Sequence, residues 1–419
     1  MRPDSEAELA EMIAAAEAPL RIGGGGTRDV GRAIAGDMLE TGGLSGIRLY
    51  EPGALTMVAG AGTPLAEIEA ALAAEGQRLA FEPGDWRGLL GTEGDSTIGG
   101  VVAANVSGPR RVTAGACRDF MLGVRFVDGA GRIVKNGGRV MKNVTGYDLV
   151  KLMSGSWGTL GVLSEVSFKV LPEAEARGVL LCEGLSDVQA VSALSRALGA
   201  PWEVSGAAHL QRGLDGAPVT MIRVEGLADS VAYRCGELQK LLADIGDFTV
   251  ERDPERTAAG WRYIRDVAPF HGRAGEVWRL SVTPSQAPEI VARLDGAEAV
   301  YDWGGGLVWV LVPDGLGDLG LPALNIGLCA RLFGLGGTAG RGRGVPAAAR
   351  AAGRARGRAA GEIRSEGHPQ SGADGVTDAD DIHRRAIAGS RHRAGQRDPA
   401  RLRALRLLHC HLPHLPGAG

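Results

Sequence analysis

Apolar and polar positions in the first 172 residues fall into short blocks separated by glycine loops. Ser5 and Glu8 form a capping-box pattern, and Leu9, Met12, Ile13 and Ala16 follow at helical spacing, which predicts a helix opening after Ser5. Leu20–Ile22 reads as a short strand that runs into Gly23–Thr27. Leu55–Ala59 reads as a second strand. Thr63 and Pro64 then read as an N-cap with proline at the first helical position, for a helix ending at Gly76. Thr97–Val106 has the pattern of a small-residue helix and Val124–Val134 that of a hairpin turning at Asp128-Gly129. Gly161–Leu171 closes the block as a strand rich in Val, Leu and Phe.

Residues 173–313 change rhythm. Strand Val179–Cys182, helix Asp187–Leu198, strand Val219–Val224 and helix Ser230–Ile245 come first, and strand and helix patterns recur as far as Val312. This alternation predicts a smaller α+β domain of ferredoxin-like type. From residue 316 the pattern stops. No Lys follows Lys240, no Trp follows Trp309, and six of the eight histidines lie at or beyond His368. Arginines sit among Gly and Ala, as in Arg341–Arg343 and Arg350–Arg358, without apolar periodicity, which marks 316–419 as an irregular tail.

The chain's 419 residues are enough for two cores. A hydrophobic content of 44% and a net charge of -3 describe a globular protein without the electrostatic footprint of a nucleic-acid binder. Cys117, Cys182, Cys235, Cys329 and Cys410 are scattered, with neither disulfide-framework nor zinc spacing, which points to the cytoplasm and to no metal site. No apolar run approaches the ~20 residues that span a bilayer, so any membrane contact is expected only through partners.

The glycines (66 in all) carry the chemistry. Gly23, Gly24, Gly25, Gly26 and Thr27 follow a strand, and four residues without Cβ let the backbone wrap a pyrophosphate with its N–H groups. The run has neither Walker nor Rossmann spacing, and alone such a run is more often just a flexible turn. Thr97, Ile98, Gly99 and Gly100 then open the small-residue helix, a start that admits an anion. Ser107, Gly108, Pro109, Arg110 and Arg111 come next, followed by Arg118-Asp119-Phe120. Val140–Val144 with Gly146-Tyr147-Asp148 stand further on, and Gly158, Thr159, Leu160, Gly161 and Val162 complete the series. Each is an ordinary turn by itself; their order and spacing carry the signal.

This series, across residues 1–172, resembles the FAD-binding domain of the vanillyl-alcohol-oxidase/p-cresol-methylhydroxylase (PCMH) superfamily. Within it, the chain is most similar to the FAD-binding subunit of bacterial glycolate oxidase, Ser107–Tyr147 being the most specific stretch. The resemblance implies a two-subdomain PCMH-type fold with the pyrophosphate on Gly23–Thr27. Thr97–Gly100 and Ser107–Gly108 would then lie along the pyrophosphate and ribityl chain, and Gly158–Val162 beside the adenine or the isoalloxazine. Arg110, Arg111, Arg118 and Lys142 are the cations available for an anionic flavin or a carboxylate, and isolated arginines are usually solvated surface charges. No His precedes His209, so FAD is expected to be held without a covalent bond. His209 and His271 have no carboxylate at ligand spacing, unlike the metal-binding substrate domains of related 2-hydroxy-acid dehydrogenases.

The resemblance therefore implies a cytoplasmic oxidoreductase subunit, peripheral at the inner membrane only through its partners. It would act on a small hydroxy acid beside a catalytic flavoprotein subunit and an iron–sulfur subunit. Catalytic residues stay unassigned. A self-sufficient FAD-dependent oxidase or dehydrogenase of another small alcohol or hydroxy acid, and a non-catalytic flavin-binding assembly subunit, are the alternatives.

The tail fits a change of reading frame. One base forward from Glu362 through Gly375, permitted codons spell KFDPKGILNPGRM, which resembles the closing segment of this superfamily. The same frame allows a stop across Val376-Thr377 and a start across Asp378-Ala379. From Arg401 to Ala418 the same frame can spell ACVHCGFCTATCPTYQV, whose closely spaced cysteines resemble an iron–sulfur cluster run.

Overall fold

The computed structural model describes residues 1–30, 35–140, 146–313 and, through their backbone, 328–335. All of these belong to one compact unit, Met1–Ala352, whereas Gly353–Gly419 form a second unit outside the described residues. The arginine and histidine runs, the two shifted-frame peptides, Cys410 and Lys142–Thr145 lie outside the described residues as well.

The first domain has a small and a large layer. Helix α1 (Glu6–Ala15) starts where the capping pattern puts it, with Ser5 Oγ accepting from Glu8 N at 3.2 Å. The reciprocal bond slips by one residue, because Glu8 reaches the Asp4 amide at 2.9 Å. Strands β1 (Leu20–Gly23) and β2 (Asp37–Glu40) form a parallel pair. The larger layer is an antiparallel sheet built from β3 (Ile47–Glu51), β4 (Thr56–Gly60), β6 (Met121–Val127), β7 (Ile133–Gly137) and β8 (Val162–Lys169), in the order β3-β4-β8-β6-β7. The hairpin turns at Asp128, where Gly131 N reaches Asp128 O at 3.0 Å.

Between these strands lie α2 (Leu65–Ala74), α3 (Arg87–Leu90), α4 (Ile98–Ala103), α5 (Arg111–Ala114), α6 (Cys117–Phe120) and α7 (Leu149–Met153). Strand β5 (Gln77–Arg78) pairs with β9 (Leu171–Pro172). Pro64, and not Thr63, stands at the α2 N-cap and makes no side-chain cap. Thr63 Oγ1 instead donates to Gly60 O at 2.7 Å and accepts from Gly46 N at 2.9 Å, so the buried hydroxyl ties two loops together. Helix α4 is shorter than its apolar run because Asn105 takes a left-handed φ of 49°.

The second domain is one eight-stranded sheet with an internal repeat. Its first half is β10 (Ala176–Glu183), α8 (Asp187–Gly199), β11 (Val204–Leu210), β12 (Val219–Gly226), α9 (Ala228–Leu242) and β13 (Thr249–Glu251). Sheet order β13-β10-β12-β11, with every pair antiparallel, is the expected ferredoxin-like arrangement. After α10 (Pro254–Arg265), the strands β14 (Gly275–Ser281), β15 (Glu298–Asp302), β16 (Leu307–Val312) and β17 (Leu328–Leu335) repeat that order, with α11 (Ala287–Ala292) between β14 and β15. The halves meet at β11 and β15, His209 opposite Tyr301, so the full order mirrors itself about that seam. Strand β17 adds to the sheet beside β14.

One face of this sheet shares a core with the first domain. Met221, Leu210, Val300 and Trp309 pack with Phe81, Trp86 and Ile98. On the other face, α8 and α9 cover the first half and α11 the second. Strand β16 is buried at every position, which is why Leu307–Val312 reads as unbroken apolar sequence. The domain therefore lies over the first one as a cover.

Buried ions fasten the two. Glu82, at a left-handed φ of 49°, accepts from both terminal nitrogens of Arg223 at 3.1 and 2.9 Å and pairs with Arg110 at 3.1 Å. Glu225 takes Arg110 at 2.9 Å, Arg78 at 2.8 Å and Arg177 at 3.1 Å. The Arg223 guanidinium also lies over Trp261 at 4.4 Å.

Candidate functional site

A cleft opens between the loop after β1, the start of α4 and the loop before β8. Eleven residues singled out by sequence line it: Gly23, Gly24, Gly25, Gly26, Thr27, Thr97, Gly99, Gly100, Gly158, Gly161 and Val162. The glycines have two distinct physical roles. A Cβ on Gly25 would sit 1.5 Å from Asp95 O, and one on Gly24 would sit 2.5 Å from Thr97 Oγ1, so both are needed for chain-to-chain approach. Gly26 needs no space but turns at φ 69°, a conformation that favours glycine. Gly100 meets only Thr97 Oγ1, at 3.3 Å, so its missing side chain leaves the cleft itself open.

Among the described residues, the amides of Gly25, Gly26 and Thr27 have no acceptor. Successive unpaired N–H groups in a tight turn form a concavity suited to phosphate oxygens. The start of α4, by contrast, has its amides committed. Ile98 N donates to Thr63 O at 3.0 Å, Gly99 N to Ala61 O at 2.8 Å, and Gly100 N to Thr97 Oγ1 at 3.2 Å. The small residues of α4 thus supply close approach, with its first amides already bonded.

Sequence reading missed two polar groups in the cleft wall. Arg28 donates to Ser96 Oγ at 2.8 Å and to Gly84 O at 2.7 Å, while its Nε is buried without a partner. Burial lowers its guanidinium to about 10, with no carboxylate paired to it. Ser156 Oγ is also buried and unpartnered. The signal for Arg28 was its place directly after the glycine run; Ser156 gave none. Trp157, at a left-handed φ of 54°, is pinned to α4 by its amide on Ala103 O at 2.9 Å.

Six predicted residues lie off this cleft. Ile98 is core. Thr159 is exposed and turns back on Ser156 O at 2.6 Å. Ser107 Oγ accepts from Cys117 N at 2.9 Å, and Gly108 is pressed against the Glu82 carbonyl, 2.1 Å from where a Cβ would stand. Arg110 belongs to the interdomain ion network, and Arg111 lies over the Trp303 ring at 4.6 Å. The segment Ser107–Arg111 therefore meets the second domain, a placement that local sequence could not reveal.

The other candidates separate cleanly. Tyr147 and Arg118 are exposed. Cys117 is fully buried, and burial raises its thiol well above the usual range, so it is no thiolate nucleophile. His209 does have a carboxylate beside it, which corrects the sequence reading: Asp187 Oδ1 stands 3.3 Å from Nε2, and Thr220 Oγ1 stands 2.9 Å from Nδ1. Tyr301 and Gln211 also donate to Asp187, at 2.7 and 2.6 Å. This set lies buried at the seam of the two halves and serves the fold. His271 bonds to Asp266 O at 2.9 Å. Among the described residues, no His/Cys/Asp/Glu cluster suits a metal, and no helix is long and apolar enough to cross a membrane.

A family model for an FAD-binding domain matches residues 1–137. The chain is 39% identical over 294 residues to glycolate oxidase subunit GlcE of Escherichia coli (strain K12), covering 70% of this chain and 75% of that protein. It is 30% identical over 186 residues to a D-lactate dehydrogenase of Archaeoglobus fulgidus, spanning 40% of its length. A solved alkyldihydroxyacetonephosphate synthase superposes on 74% of this chain and 66% of its own, with a TM-score of 0.57 at 18% identity, a likeness of fold.

Proposed function

The chain belongs to the family of glycolate oxidase subunit GlcE, and on that premise we propose that it is an FAD-bearing subunit of a complex oxidising a small 2-hydroxy acid. The observation that carries the site is the turn Gly25–Thr27, with three unpaired amides beside the partner-short Arg28 and Ser156. A dinucleotide pyrophosphate supplies acceptors for those donors, so the residues present fit FAD. Gly23–Thr27 and Arg28 hold the pyrophosphate, Thr97–Gly100 let it approach, and Gly158–Val162 form the opposite wall. The flavin, when bound, accepts the hydride equivalent. The protein's part is to fix the cofactor in the cleft and to present donors at fixed positions.

The partners of this reading are a second, catalytic flavoprotein subunit and an iron–sulfur subunit, with membrane contact through them. The chain also resembles subunit GlcD of Bacillus subtilis (strain 168), 42% identical over 86 residues, though this spans only 18% of that protein. Cytoplasmic placement follows from the same reading. The domain division is proposed as 1–172 and 173–335, the second ending with β17.

Non-covalent attachment gives a direct test. Acid precipitation of the yellow protein is expected to leave all flavin in the supernatant as intact FAD, read by chromatography. Colour retained by the pellet would contradict it. We also propose that the residues after about 316–345 are read in a shifted frame. Resequencing the coding DNA is expected to show codons that spell the two peptides in the adjacent frame; codons incompatible with either peptide would remove that reading.

A further inference from the structure

Most buried arginines of the described chain answer to a carboxylate: Arg223 to Glu82, and Arg78 and Arg110 to Glu225. Arg279 and Arg111 do not. Arg279, on β14, lies over Trp303 at 5.3 Å and over Trp309 at 5.6 Å, and its Nε is buried without a partner. Arg111, at the start of α5 in the first domain, lies over the same Trp303 ring at 4.6 Å. Neither forms an ion pair among the described residues, and neither is out in water like Arg118, Arg212 or Arg252.

Trp303 is held for this position. It stands at φ 54°, a left-handed conformation that strains a non-glycine residue and persists only where the surroundings impose it, and Gly304 at 67° and Gly305 at 98° continue the turn freely. Its Nε1 donates to Gly108 O at 3.0 Å, which locks the ring to the first domain. Asp302, the nearest acid in sequence, gives Oδ1 to the Trp303 amide at 2.7 Å and does not pair with Arg279.

We propose that Arg111 and Arg279, one from each domain and both resting on Trp303, clamp the carboxylate of a small 2-hydroxy acid at the domain seam. The charge of Arg111 bears on Arg279, and an anion that meets both guanidiniums removes that repulsion while supplying acceptors to their free N–H groups. Burial, and after it Arg111, lowers Arg279 to about 10 against the attraction of Asp302, which forms no ion pair with it. Burial and then Arg118 lower Arg111. A row of rings and cations, with Trp86 edge-on to Trp309 at 5.5 Å and Arg28 over Trp86 at 5.6 Å, connects the clamp to the wall of the glycine cleft. The substrate class rests on the hydroxy-acid reading above; the anion site rests on the two arginines.

The test is calorimetric titration of the full FAD-loaded chain with oxalate, a dicarboxylate that presents no C–H to oxidise, and with uncharged glycolamide. Oxalate is expected to bind and glycolamide not. Arg279→Gln and Arg111→Gln should each weaken oxalate at least about tenfold with flavin content unchanged. Should Arg279→Gln fail to fold, Arg111→Gln, at a half-exposed position, decides alone. Unaltered oxalate affinity in the variants, or no binding by the parent chain, overturns the clamp. Oxalate binding without any flavin reduction by glycolate in the assembled complex keeps the clamp and removes the hydroxy-acid reading instead.

Discussion

Glu82→Ala is expected to destabilise the fold by about 3–5 kcal/mol, the usual cost of stranding a buried cation by removing its partner. Glu82 is the first domain's acidic contribution to the seam, and its loss leaves Arg223, only 1% exposed, with Glu225 at 3.6 Å as its one remaining carboxylate beside its bonds to Ser205. Urea unfolding checks this, and Glu82→Ala combined with Arg223→Met should recover part of the loss because no charge is then stranded. The pH dependence has a definite sign. Burial by itself would raise the Glu82 carboxyl, but Arg223 and Arg110 outweigh it and hold it below the usual glutamate range. Glu225 is held well below the usual glutamate range by Arg223 and by its bond from Arg110, against the same burial. Acids depressed in the folded state stabilise it above their unfolded value, and that stability is lost as pH falls through the depressed values. Unfolding midpoints should therefore be flat near neutrality and fall in acid, and the fall should be shallower in the double variant.

Gly25→Ala should abolish flavin binding, by about 100-fold or more, and lower the melting temperature as well. A single methyl would stand 1.5 Å from the Asp95 carbonyl oxygen, an overlap relieved only by moving the turn that carries the unpaired amides. Gly100→Val is the contrasting case. Its side chain enters the open cleft and meets little of the protein beyond Thr97 Oγ1, so flavin should be lost while the melting temperature of the apoprotein stays within a few degrees. Equal flavin content in Gly100→Val and the parent would mean that the cofactor lies elsewhere.

Local chemistry was legible in the sequence wherever it acts over a few residues. The Ser5 cap, the Asp128 hairpin, the glycine turn after β1 and the first ferredoxin-like half all follow from spacing and residue type. What could not be read is what depends on the fold bringing distant segments together. Arg110 looks like a site cation beside Gly108, yet its partners Glu82 and Glu225 lie 28 and 115 positions away. Trp303 and Arg279 carry no motif, and only the pairing of β14 with β16 brings them near Arg111. His209 seemed isolated because Asp187 lies on α8, one crossover earlier. The composition break at 316 was real, but the backbone pairing of β17 with β14 has no compositional mark.

The central claim, that this chain carries a flavin which turns over with a hydroxy acid only inside its complex, is tested by anaerobic mixing with glycolate while flavin absorbance is followed. The isolated chain should stay oxidised. The complex reassembled with both partners should bleach by one more flavin equivalent than a complex containing the Gly100→Val chain. Full bleaching of the isolated chain, or equal bleaching of the two complexes, would contradict the account.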